Sequence, residues 1–257
     1  MEINLNADLG ESFGPWKMGD DAAMLELVRS ASIACGFHAG DPLIMRRTLR
    51  TAKRHGVSVG AHPSFPDLQG FGRRPMRLAA DELQAMILYQ LAALAGMAHV
   101  EGLPMTHVKP HGALSNMASE DVNLAQRVAC AVSSFDADLI LLAPAGSRLM
   151  DAGKAEGLRV AGEIFADRAY TETGHLMPRS QPGAVLTDEA GCVEHVLRML
   201  DAGGIVTASG KTLPVTFHSI CVHGDSPHAL ATARAVRAAL VDAGCRLNAL
   251  SDMTALR

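Results

Sequence analysis

Short apolar runs recur along the chain, and most are separated by stretches whose apolar residues return every three or four positions. The first pattern reads as strands and the second as amphipathic helices. Strand candidates fall at about 2–8, 31–37, 57–62, 106–111, 138–143, 159–166 and 215–223. After the second, Asp41 is placed as an N-cap, Pro42 at the first helical position and Gly56 as the stop. After the third, Asp81 is the expected cap of a helix striped by Leu83, Ile87, Leu91 and Leu94. Ser119 is expected to precede a helix to about 133, and further helices fit 146–156, 188–202 and 227–243. The last of these has Ser226 as N-cap and Pro227 in its first turn. The stretch 203–215 reads as a small hairpin.

Alternation of strands and helices predicts an α/β fold with a mostly parallel sheet. Seven strand–helix units favour a single-domain, distorted seven-stranded β/α (TIM-like) barrel over residues 1–257, with a doubly wound open sheet as the alternative. Composition adds three exclusions. A net charge of −4 argues against a nucleic-acid surface. Five cysteines with no C-x-x-C pair argue against a disulfide framework or a zinc ribbon, and fit a reducing, cytoplasmic setting. The N-terminus lacks the pattern of a signal peptide, and no run approaches the roughly 18 apolar residues of a membrane span.

Polar residues fall on the strands in a pattern of their own. Side chains two apart on a strand share a face. Asn4, Asn6 and Asp8 share one, with Glu11 just beyond; His38 and Asp41 follow the second strand and His62 ends the third. The fourth carries His107, Lys109 and His111 on one face, in T-H-V-K-P-H-G. Pro110 suits a bend as the chain leaves the barrel, and Gly112 suits the turn that follows. On the sixth, Glu163, Phe165 and Asp167 alternate, with Arg168 next, and the last carries Cys221, His223 and Asp225. In a parallel barrel these strand ends meet at one mouth, the place where active sites are built. His38, His62, Lys109, His111, Asp167 and His223 are therefore expected to converge on one pocket. Any one of these histidines alone would more simply be a hydrogen-bonded structural residue. Their recurrence at six strand ends carries the inference.

Two glycine-rich stretches are decoys. G-G-I-V-T-A-S-G-K-T at 203–212 has the wrong glycine spacing for a phosphate-binding loop and runs into a strand instead of a helix. G-F-G-R-R at 70–74 is too short for a dinucleotide fingerprint and reads as a substrate or anion loop, or a basic turn. Asp8, His38 and His62, from three neighbouring strands, form a candidate triad for a divalent metal, the alternative being a metal-free hydrogen-bonded network.

The stretches N-A-D-L-G-E, C-G-F-H-A-G-D, G-A-H-P-S-F-P-D-L-Q-G-F-G-R-R, H-V-K-P-H-G-A-L, F-A-D-R-A-Y, P-R-S-Q-P-G-A and C-V-H-G-D-S-P resemble, in order and from about residue 2 to 245, the LamB/YcsF family. Ser115 departs from the pattern, where tyrosine is expected. The resemblance implies a barrel of the glycoside hydrolase/deacetylase type. It also implies the A component of a 5-oxoprolinase, which hydrolyses 5-oxo-L-proline to L-glutamate with ATP as co-substrate. B and C subunits are implied as partners. Deacetylases of that barrel group hold a metal through Asp-His-His, which again points to Asp8, His38 and His62.

The chemistry suits such residues. A five-membered lactam is a poor electrophile, and phosphorylating its oxygen would activate it. Water attack then needs a general base, Asp8 or His38, and the developing charge needs a cation, Lys109 supported by His111 and Arg168. His62 and Asp167 complete the catalytic candidates. Asn6, Glu11, Arg73, Arg74, Arg168, His223 and Asp225 are substrate-binding candidates, and the helix begun at Ser226 offers backbone N–H groups to an anion. Lys109→Met is expected to spare folding, because an apolar group of similar shape replaces the cation. Two rivals are a self-sufficient metal-dependent amidase or deacetylase, and a non-catalytic lactam-binding subunit.

Overall fold

A computed structural model describes residues 1–224 and 228–256. Seven parallel strands close a barrel: β1 (Glu2–Leu9), β2 (Ser30–Ala34), β3 (Ser58–His62), β4 (Met105–Val108), β5 (Ile140–Pro144), β6 (Arg159–Phe165) and β9 (Ser219–Val222). Each pairs with the next, and β9 pairs back to β1. β7 (Gly204–Val206) and β8 (Thr212–Pro214) form the expected antiparallel hairpin. The short β10 (Arg246–Leu247) adds to the start of β1.

Around the barrel lie α1 (Asp21–Leu25), α2 (Pro42–His55), α3 (Ala80–Glu101), α4 (Gly112–Glu120), α5 (Val122–Phe135), α6 (Arg148–Ala155), α7 (Glu189–Ala202) and α8 (Ala229–Asp242). The caps follow local chemistry. Asp41 accepts from the N–H groups of Leu43 and Ile44, Pro42 opens α2, and Gly56 closes it in the left-handed region. α3 starts one residue before Asp81, which sits in its first turn and does not cap it. Its stripe of Leu83, Ile87, Leu91 and Leu94 is buried as expected. α3 is also long and apolar enough to cross a membrane by length and composition alone.

The helix expected after Ser119 is α5, and α4 before it has no counterpart among the sequence expectations. Ser119 lies inside α4, and the cap of the next helix is Asp121, whose carboxylate accepts from Asn123 and Leu124. The capping expected of Ser226 and Pro227 lies outside the described residues.

Strand parity sorts the barrel wall. Ile3, Leu5, Ala7 and Leu9 face the helices, in the main apolar core. Asn4, Asn6 and Asp8 face inward, and the interior they enter is polar. Ser219 donates to Asn4 at 2.7 Å, Asn4 to Ser30 at 2.9 Å, and Asn6 to both Ser219 and Glu163 at 2.7 Å. All of these residues are buried. Since buried polar groups are costly unless paired, this part of the interior is held by these hydrogen bonds and not by apolar fill. Its lower end is closed by apolar groups: Leu250 and Leu256, from two 3-10 turns, and Met253 between the turns pack against Ile140, Leu142 and Ala161.

Candidate functional site

The ladder of β4 ends at Val108, but the chain stays tied to its neighbour. The Lys109 N–H donates to the Ala61 carbonyl and the His111 N–H to the Pro63 carbonyl, both at 2.9 Å. The inward parity of the strand therefore continues through both residues. His107, one step lower, is fully buried, where it contacts Ser32 and Thr106. It supports the floor and does not reach the mouth. Burial, then the charge on Lys109, pushes its pKa down to about 3.

Lys109 is the hub. Its ammonium lies 2.8 Å from Asp8 Oδ1, 2.9 Å from Glu163 Oε1, 3.3 Å from Asn6 Oδ1 and 3.2 Å from Cys221 Sγ. Burial alone would neutralise the amine, but Asp8, Cys221 and Glu163 hold its pKa well above the ordinary lysine value. Burial would likewise raise Asp8; His62 and Lys109 outweigh it and hold the carboxylate well below its usual range. Glu163 moves the other way, raised by burial against the pull of Lys109 and with Asp8 as a like charge. One ammonium thus stands between two carboxylates, with the outer one ionised and the inner one the more ready to hold a proton.

A second cluster adjoins the first. His62 Nε2 lies 3.3 Å from Asp8 Oδ2 and 3.0 Å from His111 Nδ1. His38 stacks on His111 with ring centroids 3.9 Å apart, and its Nε2 is 3.2 Å from Glu11 Oε1. Phe71 stands edge-on to both rings. The metal triad expected from the sequence is regrouped by this geometry. Among the described residues, the donor atoms of Glu11, His38, His62 and His111 lie within 4.8 Å of one another and could hold a metal ion. Asp8 groups instead with Cys221 and His223.

Above both clusters is a cavity of about 410 Å³, lined among others by Asp8, His62, Arg73, Lys109, His111, Arg168 and His223. His38 is not on its wall; it is buried behind His111. Asp167 bonds His223 Nδ1 at 2.7 Å. Burial would raise the Asp167 carboxyl, but His223 holds it down. Arg168 turns its guanidinium to the carbonyls of Ala184 (3.3 Å) and Met177 (2.5 Å), and burial, with Arg179 nearby, lowers its pKa to about 10.

Arg74 is drawn away from the cavity. It binds the buried Asp67 carboxylate, with Nε at 2.8 Å, and so fastens its own loop. Asn6 sits beneath Lys109 as part of the floor. Ser115 lies on the cavity wall in α4. Asp225 lies outside the described residues.

Two members of the hub, Glu163 and Cys221, share a face with the sequence candidates but carried no expected role. Their strand parity was the available signal. In register, Cys221 pairs with Asn6, one inward position below Asp8, and Glu163 lies one inward position below Phe165. Asp67 has no comparable signal in the sequence, since only folding of the 62–74 loop brings Arg74 onto it.

The fold and site define a β/α-barrel protein with a buried acid–base and imidazole cluster at the C-terminal ends of its strands. The chain belongs to the LamB/YcsF family, whose model matches residues 3–255. It is 61% identical over 253 residues to the 5-oxoprolinase A subunit of Azoarcus sp. (strain BH72), covering 98% of this chain and 99% of that one. The same-named protein of Methylococcus capsulatus is 52% identical, with 96% and 95% covered. The crystal structure of the lactam utilization protein from Thermus thermophilus superposes with a TM-score of 0.90 at 45% identity, covering 97% of this chain and 100% of that one.

Proposed function

We propose that this chain is the A component of a cytoplasmic, ATP-dependent 5-oxoprolinase, acting with B and C subunits to open the lactam of 5-oxo-L-proline to L-glutamate. The observation that carries the reading is the buried Lys109 ammonium beside an ionised Asp8 on the cavity wall. Family membership and the names of the close relatives narrow the substrate to a lactam. Five free cysteines, one of them exposed, suit a reducing compartment.

Ring opening asks for a proton taken from water, charge steadied on the carbonyl oxygen, and a proton given to the ring nitrogen as the C–N bond breaks. Asp8 takes the first role, because it lines the cavity and stays ionised, whereas His38 is walled off behind His111. Lys109 steadies the oxygen, or a phosphate placed on it by ATP. His223, oriented by Asp167, is the donor to nitrogen. Arg73 and Arg168 on the wall suit the substrate carboxylate.

The imidazole cluster favours a second reading, a metal-dependent amidase. A dication held by Glu11, His38, His62 and His111 supplies carbonyl polarisation only where a coordination position stays open, and four protein donors fill a tetrahedral sphere. The test is glutamate release from 5-oxo-L-proline by this chain alone and with B and C subunits, with and without ATP. Turnover that needs ATP and all three subunits is expected. Turnover by the chain alone, without ATP, favours the amidase.

A further inference from the structure

Two backbone carbonyls fix the imidazole tautomers at the mouth. His62 Nδ1 donates to the Lys109 carbonyl at 2.6 Å, so the lone pair of its Nε2 points into the cluster. His111 Nε2 donates to the Phe71 carbonyl at 2.8 Å, so the lone pair of its Nδ1 does the same. When both rings are neutral, two acceptor nitrogens face each other at 3.0 Å with no hydrogen between them. Such an arrangement is unfavourable until a cation enters. Histidine ligands whose second nitrogen donates to a carbonyl are the usual outer support of a metal site.

The other donors complete the set. Glu11 Oε1 lies 3.2 Å from His38 Nε2 and 3.7 Å from His111 Nδ1. Bonds of roughly 2.0–2.1 Å to a tetrahedral zinc place the donors roughly 3.4 Å apart. The three observed separations of 3.0, 3.2 and 3.7 Å bracket that edge. All four side chains are buried; of the three rings, His38 alone lacks an outer acceptor, its buried Nδ1 having no hydrogen-bond partner among the described residues. The 71–72 turn closes over them: a Cβ at Gly72 would come within 2.8 Å of His38 Cβ and 2.9 Å of His111 Cδ2.

We propose that Glu11, His38, His62 and His111 form a closed structural site for one divalent first-row transition metal, with zinc as the best match to three nitrogens and one carboxylate oxygen. The four ligands come from the ends of four consecutive strands, β1 to β4, so the ion clasps one half of the barrel mouth. It lies beside the reacting groups without replacing them: Asp8 stays outside the sphere, paired with Lys109 and free to act on water.

The test uses the full chain, stripped with a chelator and titrated with Zn²⁺ or Co²⁺ alone, with no turnover measured, so that its failure leaves the lactam reading intact. Expected are one ion per chain, a rise in melting temperature, and a visible Co²⁺ absorption typical of four-coordinate nitrogen–oxygen sites. Glu11→Gln and His111→Ala should each weaken binding more than about a hundredfold, while Asp8→Asn weakens it less than about tenfold, the lower end for loss of an outer partner. Circular dichroism confirms that each variant is folded. If a variant unfolds, the wild-type spectrum and melting shift decide alone. Strong loss in Asp8→Asn with binding retained in Glu11→Gln overturns the ligand set. Wild-type protein with neither spectrum nor melting shift overturns the site, and leaves a proton shared by His62 and His111 as the occupant.

Discussion

The Lys109 ammonium is shared by two buried carboxylates, Asp8 at 2.8 Å and Glu163 at 2.9 Å. An isosteric loss of its charge looks harmless to folding in the sequence, but Lys109→Met strands two buried carboxylates, Asp8 and Glu163. Removing one partner of a buried ion pair costs about 3–5 kcal/mol. The variant should therefore lose that much in urea unfolding, as well as about a hundredfold in glutamate release by the reconstituted complex. Lys109→Met combined with Glu163→Gln should recover part of the stability and none of the rate; full stability in the single variant would contradict the stranding of the carboxylates. His107 gives a pH prediction. Its folded pKa of about 3 lies below the ordinary 6.5, so between those values the unfolded chain binds the extra proton. Stability is then lost as pH falls below about 6.5, by about 1.4 kcal/mol per pH unit. Denaturant midpoints from pH 7 to 5 should slope less in a folded His107→Gln variant than in wild type. The parity of T-H-V-K-P-H-G made the shared face of these residues legible, since alternation depends only on being extended. Depth was not legible. Nothing in the local sequence says that His107 is floor, Lys109 hub and His111 wall, because the stagger between strands sets those levels.

Elements were legible where their ends carry their own chemistry. Asp41, Pro42 and Gly56 bound α2 as expected, since cap, first turn and stop are local hydrogen-bond and φ requirements. The sequence pattern gives α5 but not α4, because α4 has no side-chain cap to mark its start, whereas the Asp121 carboxylate caps α5. The contact between β3 and β4 had no sequence signal. Gly60 faces His107, and a Cβ there would lie 2.3 Å from the ring and 2.4 Å from the His107 carbonyl. The ring is hemmed in and the carbonyl belongs to the sheet, so neither can yield cheaply. Gly60→Ala should destabilise the protein by about 1–3 kcal/mol or more, as overpacking of a close-packed site does. A thermal melt checks this, and an unchanged midpoint would mean that β3 and β4 separate more easily than their pairing indicates.

At the scale of the molecule, counting seven strand–helix units was enough to choose a barrel, because each unit must bury one face on its neighbours. The closing contacts were not countable. Leu250, Met253 and Leu256 plug the lower end from a stretch with no strong period. Each buried side chain of this size contributes about 1.5–3 kcal/mol, so a chain ending at Asn248 should unfold at clearly lower urea, and a midpoint equal to the full chain would show the plug to be idle. The polar interior has a different consequence. Sliding one strand by two residues preserves which side chains point inward, so alternation alone would tolerate the slip. Asn4, Asn6, Ser30, Glu163 and Ser219 would not, because each bond joins a particular height on one strand to a particular height on another. The interior thus acts as a vernier, reading the axial offset of the strands and rejecting all but one setting. That setting is what brings four separately encoded strand ends to the same level at the mouth.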